Sequence, residues 1–393
     1  MLCFSYHPHS RLVVRCMSTP PTYDLPLIHC RGTAQELGQA YGQQCSEAIR
    51  AFVTQRLRAA KVYLWERGSR DLDGFLAIGA QCYRCFCDWD PQGADEHTAT
   101  AIAAGVDPAE LYTATNMTDI RDVFLVQQDD QSTPAGDGEG CSAVVLPASR
   151  TASGTILAAQ TWDLNPQDVD DIIAVYRRPN DRPATWSVTC NGCPTLVGIN
   201  EHGLAVGTTN IKTTDARIGV GYLSLLHRAI ACSTVAEAAE CIASAPRAAA
   251  HTYWLADSQE ARLLTCSATA VVSENGDSGP LLQTNHLRAM PVGAESLEPA
   301  NSSSNARLCH MQEWAADAQG IDFPAMVSLF SDRSRGADSI NRYPEDQTGT
   351  ATDACFVCCP STRQTWACRG PADRGIWYNL DVNAGIATPI THS

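Results

Sequence analysis

The chain has 393 residues, 44% hydrophobic and 18% charged, and its 28 basic against 43 acidic residues give a net charge of −15. This is the composition of a soluble globular protein able to bury a sizeable core in one large domain or two ordinary ones. It argues against nucleic acid or an anionic membrane as partner, since both want a cationic face, and no apolar run approaches the roughly 20 residues that span a bilayer.

The opening M-L-C-F-S-Y-H-P-H-S-R-L-V-V-R-C-M carries Arg11 and Arg15, with no acid before Asp24. It faintly resembles an organelle-targeting peptide but lacks the apolar stretch of a secretory signal. Residues 1–26 therefore read as a flexible extension, with Met17 an alternative start, on a chain expected to be intracellular and cytoplasmic. The final Thr391-His392-Ser393 is not a peroxisomal address of the Ser-Lys-Leu type.

After Pro26, L-I-H-C-R-G predicts a short strand ending at Gly32, and Thr33 with Glu36 three residues later forms a capping box for a helix. Apolar residues at helical spacing continue from Ala34 to about Trp65, and similar patterns cover Asp71–Asp88 and Asp107–Phe124, so the first third is mostly helical. From Leu125 the run L-V-Q-Q-D-D-Q-S-T-P-A-G-D-G-E-G reads as an exposed loop.

Beyond Cys141 the pattern turns to strands: Ser142–Leu146, Thr155–Gln160, Asp171–Arg177 and Thr185–Cys190, then a hairpin turning at Asn200–Gly203. Helices are predicted over Tyr222–Ala231 and Thr234–Ala245, followed by a hairpin from His251 to Cys266 and a strand into Gln283. Two more helices precede a last hairpin, Asp353–Arg369. Hairpins with paired helices before and between them imply an α+β fold of two mainly antiparallel sheets between helical layers, built as a single domain over 27–393.

Eighteen cysteines are many, and several cluster: Cys82, Cys85 and Cys87; Cys190 and Cys193; Cys355, Cys358 and Cys359. A chain this long needs no disulfide staples, so the thiols read as reduced and the sequons at Asn116 and Asn301 carry little weight. The Cys-x-x-Cys pairs lie too far apart along the chain for a strong zinc pattern, so they read as packing, with no metal and no cofactor expected.

Helical zinc-protease, phosphate-loop and G-x-S-x-G motifs are absent from the sequence. What remains is a thiol at a seam. In D-G-E-G-C-S-A-V-V-L-P, Gly140-Cys141 joins a polar, glycine-rich loop to a β-prone run. Polar residues at strand ends accompany it: Asp163 in A-Q-T-W-D-L-N and Asn285 in L-Q-T-N-H-L.

G-C-S-A-V-V-L-P followed by G-T-I-L-A-A-Q-T-W-D resembles the nucleophile signature of the isopenicillin N acyltransferase-like cysteine hydrolases, members of the N-terminal-nucleophile (Ntn) class. I-H-C-R-G-T-A-Q-E-L-G-Q-A-Y-G-Q-Q, T-N-H-L and S-I-N-R-Y-P-E resemble further family segments, so the similarity runs from about Leu27 to Gly370. The resemblance implies a four-layer αββα fold and a precursor that cuts itself between Gly140 and Cys141, into chains 1–140 and 141–393 that remain associated. It also implies that Cys141 is the nucleophile, that Asp163 orients or charge-balances the new terminus, that Asn285 donates to the oxyanion, and that Arg342 belongs to the site.

Such a cut supplies a base where the sequence offers no evident histidine. A freed α-amino group of pKa about 7.7–8.0 takes the proton from a thiol near 8.5. The expected substrate is a small acyl amide or acyl thioester, resolved by water or by an amine. Two departures bear on that choice. Asn341 stands where the family has a cysteine, and Thr348-Gly349-Thr350-Ala351-Thr352 lacks the arginine that the penicillin-making acyltransferase carries there. Hydrolysis is the first choice; a true acyl-CoA-dependent acyltransferase and an unprocessed ligand-binding relative are the rivals.

Overall fold

The computed structural model describes residues 22–128, 140–288 and 302–390. Among the described residues the first strand is β1 (Leu27–Gly32), followed by six helices: α1 (Ala34–Gln44), α2 (Ser46–Glu66), α3 (Leu72–Trp89), α4 (Pro91–Ala104), α5 (Pro108–Thr115) and α6 (Met117–Gln127). Next come β2 (Gly140–Leu146), β3 (Leu157–Leu164), β4 (Ile172–Pro179), β5 (Thr185–Cys190), β6 (Val197–Asn200) and β7 (Ala205–Asn210). Helices α7 (Tyr222–Ala229) and α8 (Val235–Ser244) lead to β8 (His251–Ala256), β9 (Ala261–Cys266), β10 (Val271–Asn275) and β11 (Leu281–Gln283). Two further helices, α9 (Ser303–Asp317) and α10 (Phe323–Phe330), precede β12 (Ala351–Cys359), β13 (Gln364–Arg369), β14 (Tyr378–Asp381) and β15 (Ile386–Pro389).

An eight-stranded sheet runs in the order β1-β4-β5-β6-β7-β8-β9-β10, and a seven-stranded sheet in the order β11-β2-β3-β12-β13-β14-β15. Among the described strands every ladder is antiparallel except β1 with β4. The sheets face each other through β2, β7 and β8. Helices α1, α7 and α8 cover the eight-stranded sheet, and α9 and α10 cover the seven-stranded one. That is the expected αββα order. One apolar core fills the space between the sheets and beneath the first helical layer, including Trp186, Trp254 and Tyr253. A second, with Met311, Met326, Phe330 and Trp377, lies under α9 and α10.

The Thr33 cap forms as expected: its hydroxyl accepts from Glu36 N–H at 3.3 Å while Glu36 Oε2 accepts from Thr33 N–H at 2.8 Å. The long helical run breaks at Cys45, and the Asp107–Phe124 run breaks at Asn116. Helix α4 carries no legible apolar stripe, because its sequence is mostly Ala, Thr and polar residues. It packs by close approach instead: a Cβ on Gly38 or Gly42 of α1 would lie 2.1 or 2.3 Å from an α4 backbone oxygen. Its buried Glu96 is matched by His227 at 3.3 Å and Arg177 at 2.7 Å, which together hold that carboxyl well below the ordinary range despite burial.

Three sequence expectations need adjusting. Strand β2 begins at Gly140 rather than Ser142, so the Gly140–Cys141 bond lies within a strand. Tyr23 pairs with Gly375 and Leu25 is buried, so part of the 1–26 segment is docked on the domain. The exposed-loop reading from Leu125 meets helix α6 as far as Gln127, and its residues 129–139 lie outside the described residues, as do residues 1–21 of the extension.

Candidate active site

Strand register lines the expected residues along one end of the seven-stranded sheet. In the β2–β3 ladder Gly140 faces Asp163 and Cys141 faces Trp162. On the other side of β3, Asp163 faces Thr352 of β12. In the β11–β2 ladder Leu281 faces Val145 and Gln283 faces Ala143, so the same register carries Asn285 beside Cys141. The Cys141 N–H accordingly donates to Asn285 Oδ1 at 2.7 Å. Three separate sequence segments thus meet because a sheet puts strand ends side by side.

Each of these groups is buried: Cys141 is 4% exposed, Asp163 0%, Asn285 2% and Arg342 3%. Arg342 lies just ahead of β12, its N–H donating to Thr352 Oγ1 at 3.0 Å. Its guanidinium donates to Thr350 and to Ser303, and Nε stands 4.0 Å from Asp163 Oδ2. Burial pushes the Asp163 carboxyl up to about 6, against the downward pull of Arg342 and Arg307. It is therefore ionised at neutral pH, yet costly to keep so.

Gly140 is wedged between the two charged groups. A Cβ there would lie 2.8 Å from Asp163 Oδ2 and 2.9 Å from Arg342 Nη1, so any side chain displaces the pair that flanks the seam. If the expected cut falls at this bond, Gly140→Val should slow it about 10²-fold, a loss that moving a reacting group by an ångström can bring. Following chain length by mass over time checks this.

Asn285 is employed on both sides of its amide. Oδ1 accepts from Cys141 N–H and from Arg307 Nη2 at 2.9 Å, while Nδ2 donates to the Asn210 carbonyl at 3.0 Å. An oxyanion role would draw on the second N–H of that amide.

Arg307 is the site residue that the sequence reading missed. Wholly buried on α9, it donates through Nη1 to the Cys141 carbonyl and to Ser142 Oγ. A signal was there to be read. Ser304, Arg307, Leu308, Met311 and Ala315 form the buried stripe of α9, so a cation occupies an apolar position of a helix.

One cavity touches Cys141 and a larger cleft shares two wall residues with it. The cavity, of about 20 Å³, is lined by Cys141, Trp162, Asp163, Asn210, Tyr222 and His251, among others. Thr118 and Leu164 line both this cavity and a cleft of about 1070 Å³ between α2 and the loop after β3. The cleft wall carries Arg50, Arg56, Arg58 and Arg121 against the acids Glu66 and Asp168, with Val62, Tyr63, Phe75 and Met117 as apolar surface. A cationic cleft in a chain of net charge −15 is a local reversal of the overall field.

The clustered cysteines go elsewhere: Cys82, Cys85 and Cys87 lie on α3, Cys190 ends β5 with Cys193 in the turn after it, and Cys355, Cys358 and Cys359 lie on β12. Among the described residues, no group of three His, Cys, Asp or Glu side chains is arranged to hold a metal. Nor is any helix among them long and apolar enough to cross a membrane.

Residues 149–373, more than half of the chain, match the family described as acyl-coenzyme A:6-aminopenicillanic acid acyl-transferase. The match begins just after β2, so it does not include Gly140 and Cys141. No curated protein sequence matches the chain. Among solved structures, the chain is similar to a cysteine-to-alanine mutant of conjugated bile acid hydrolase from Clostridium perfringens at 12% identity, with a TM-score of 0.43, over 64% of this chain and 97% of that one. It is also similar to penicillin V acylase from Agrobacterium tumefaciens at 11% identity, with a TM-score of 0.31, over 64% of this chain and 98% of that one.

Proposed function

Because the chain belongs to the acyl-coenzyme A:6-aminopenicillanic acid acyl-transferase family, and is thus an amide hydrolase or acyltransferase, we propose that it works as a self-cut enzyme whose Cys141 carries the acyl group. The observation that carries this reading is the setting of the Gly140–Cys141 bond. It lies at a buried strand end, with Asp163 and Arg342 closed on Gly140 and Asn285 hydrogen-bonded to the Cys141 nitrogen. Attack of the Cys141 thiol on the Gly140 carbonyl carbon breaks the C–N bond and forms a thioester, and water then releases residues 1–140. The nitrogen left behind becomes a terminal amine still facing Asn285 Oδ1, with the Asp163 carboxylate near it to balance its charge.

In the matured enzyme that amine is the base for its own thiol, and a substrate acyl group follows the same route onto Cys141. Mass measurement of the 141–393 chain after brief exposure to an acyl amide tests this directly. An added acyl mass that is lost with time is the expected result, and no adduct on Cys141 with any turned-over amide would refute the proposal.

The cationic cleft, which shares Thr118 and Leu164 with the cavity at Cys141, favours acyl amides bearing a carboxylate. Arg56 is held by Asp168 at 2.9 Å and Arg121 by Asp122 at 3.0 Å, while Arg58 is exposed on the wall. For a carboxylate-bearing acyl amide we expect Arg58→Ala to raise KM roughly tenfold with kcat little changed, the size of one lost charge-assisted hydrogen bond. The neutral amide of the same compound should be unaffected.

A further inference from the structure

Beside Cys141 the fold holds a histidine for which the chemistry above has no use. His251 begins β8, is 1% exposed and lines the small cavity that Cys141 also lines. Its Nε2 lies 2.7 Å from Asp119 Oδ1, and the other Asp119 oxygen accepts from Tyr222 N–H at 2.9 Å. The Tyr222 ring stacks on the imidazole with centroids 4.3 Å apart and planes at 16°. Position and tilt of the ring are thereby fixed.

A carboxylate acceptor at Nε2 selects the tautomer with its proton there, which leaves Nδ1 as a bare acceptor. That Nδ1 is buried and has no hydrogen-bond partner among the described residues. Buried acceptors without donors are rare in folded proteins, so something must supply an N–H or O–H. The cavity of about 20 Å³ has room for one water, which needs about 10–15 Å³ measured this way.

We propose that the Asp119–His251 pair is the base for the water that resolves the Cys141 thioester, an inference that rests on the reading of Cys141 as the acyl carrier. The water oxygen bonds to the thioester carbonyl carbon while one of its protons passes to His251 Nδ1. The C–S bond then breaks, and the imidazolium returns that proton to the Cys141 sulfur. The products are a carboxylic acid and the free thiol, with no other reactant consumed. In maturation the acid is Gly140; in turnover it is the acyl half of the substrate. An Asp–His pair placed for water makes hydrolysis, rather than transfer to an amine, the outcome built into this site.

The test uses the full chain and reads out the stalled intermediate. Thioester and uncut precursor have equal mass, but neutral hydroxylamine under denaturing conditions splits only the thioester, leaving a Gly140 hydroxamate and a 141–393 chain. In His251→Gln we expect hydrolytic release of residues 1–140 to slow by about 10²-fold or more, with a hydroxylamine-cleavable fraction accumulating. Asp119→Asn should do the same, because an amide donor at Nε2 forces the proton onto Nδ1. It also keeps the side-chain volume, so it serves if His251→Gln melts well below the uncut Cys141→Ala chain. Cutting at the wild-type rate with no cleavable fraction, in whichever variant folds, overturns this inference alone. A wild-type chain that never cuts and never acquires an acyl adduct counts instead against the parent reading.

Discussion

Cys141→Ala remains a single chain of 393 residues and turns over no acyl amide, while keeping the fold of the uncut wild type. The expectation is absolute because one sulfur is asked to do both jobs. Without it no N-to-S acyl shift breaks the Gly140–Cys141 bond, so no terminal amine arises, and no thioester forms in turnover. The structural cost is small by comparison. Alanine is a volume reduction by one sulfur at a strand residue whose N–H donates to Asn285 and whose carbonyl accepts from Arg307, and both bonds are made by the backbone. Residual stability near that of the wild-type precursor, measured by urea denaturation, would separate loss of chemistry from loss of fold. Serine at the same position retains a nucleophile of much higher pKa, so slow cutting there, with alanine inert, is the expected ranking.

Asp163→Asn is expected to reduce cutting and turnover by about 10²-fold or more while stabilising the uncut chain at neutral pH. Both effects come from the same burial. The carboxyl lies at about 6 in the fold, against an ordinary 3.8, so the folded chain binds this proton more tightly than the unfolded one. Between about pH 4 and 6 the folded state carries the extra proton, and stability falls as pH rises through that window. Two units correspond to about 3 kcal/mol at full extent. An asparagine has no proton to lose. Placed in the Cys141→Ala background, it should match its parent near pH 4 and exceed it by about 3 kcal/mol at pH 7. Urea denaturation at the two pH values measures the difference, and an asparagine variant that is the weaker of the two at pH 7 contradicts the account. Under the proposed maturation, the costly charge lies where the new ammonium would form, so the site would trade stability for chemistry.

Those two residues were legible in the sequence for different reasons. Gly140-Cys141 stood out because glycine beside a thiol at the start of a β-prone run has a chemical meaning, and Trp162-Asp163 and Asn285 because polar residues ended otherwise apolar strands. Their meeting follows from ladder register, which no local pattern encodes. The Thr33 cap and the hairpin at Asn200–Gly203 were read correctly because they depend on neighbours a few residues apart. Helix α4 was missed because glycine–backbone contact with α1 replaces an apolar stripe, and β14 and β15 because they form the edge of a sheet, with half-exposed, mixed sequences. Arg307 was hidden in a polar N-terminal turn, and its importance shows only when α9 lies against β2. His251 was hidden for the opposite reason: in H-T-Y-W-L-A it has the pattern of any core strand. Its partner Asp119 lies 132 residues earlier, so only the packing of α6 on β8 makes the pair.

The most direct test of the central claim is N-terminal sequencing, with intact mass, of the purified active protein. Two chains are expected, the second beginning Cys-Ser-Ala-Val-Val at residue 141. Active protein that is a single chain, or that begins its second chain at any other residue, would show that the thiol of Cys141 never gains a terminus of its own.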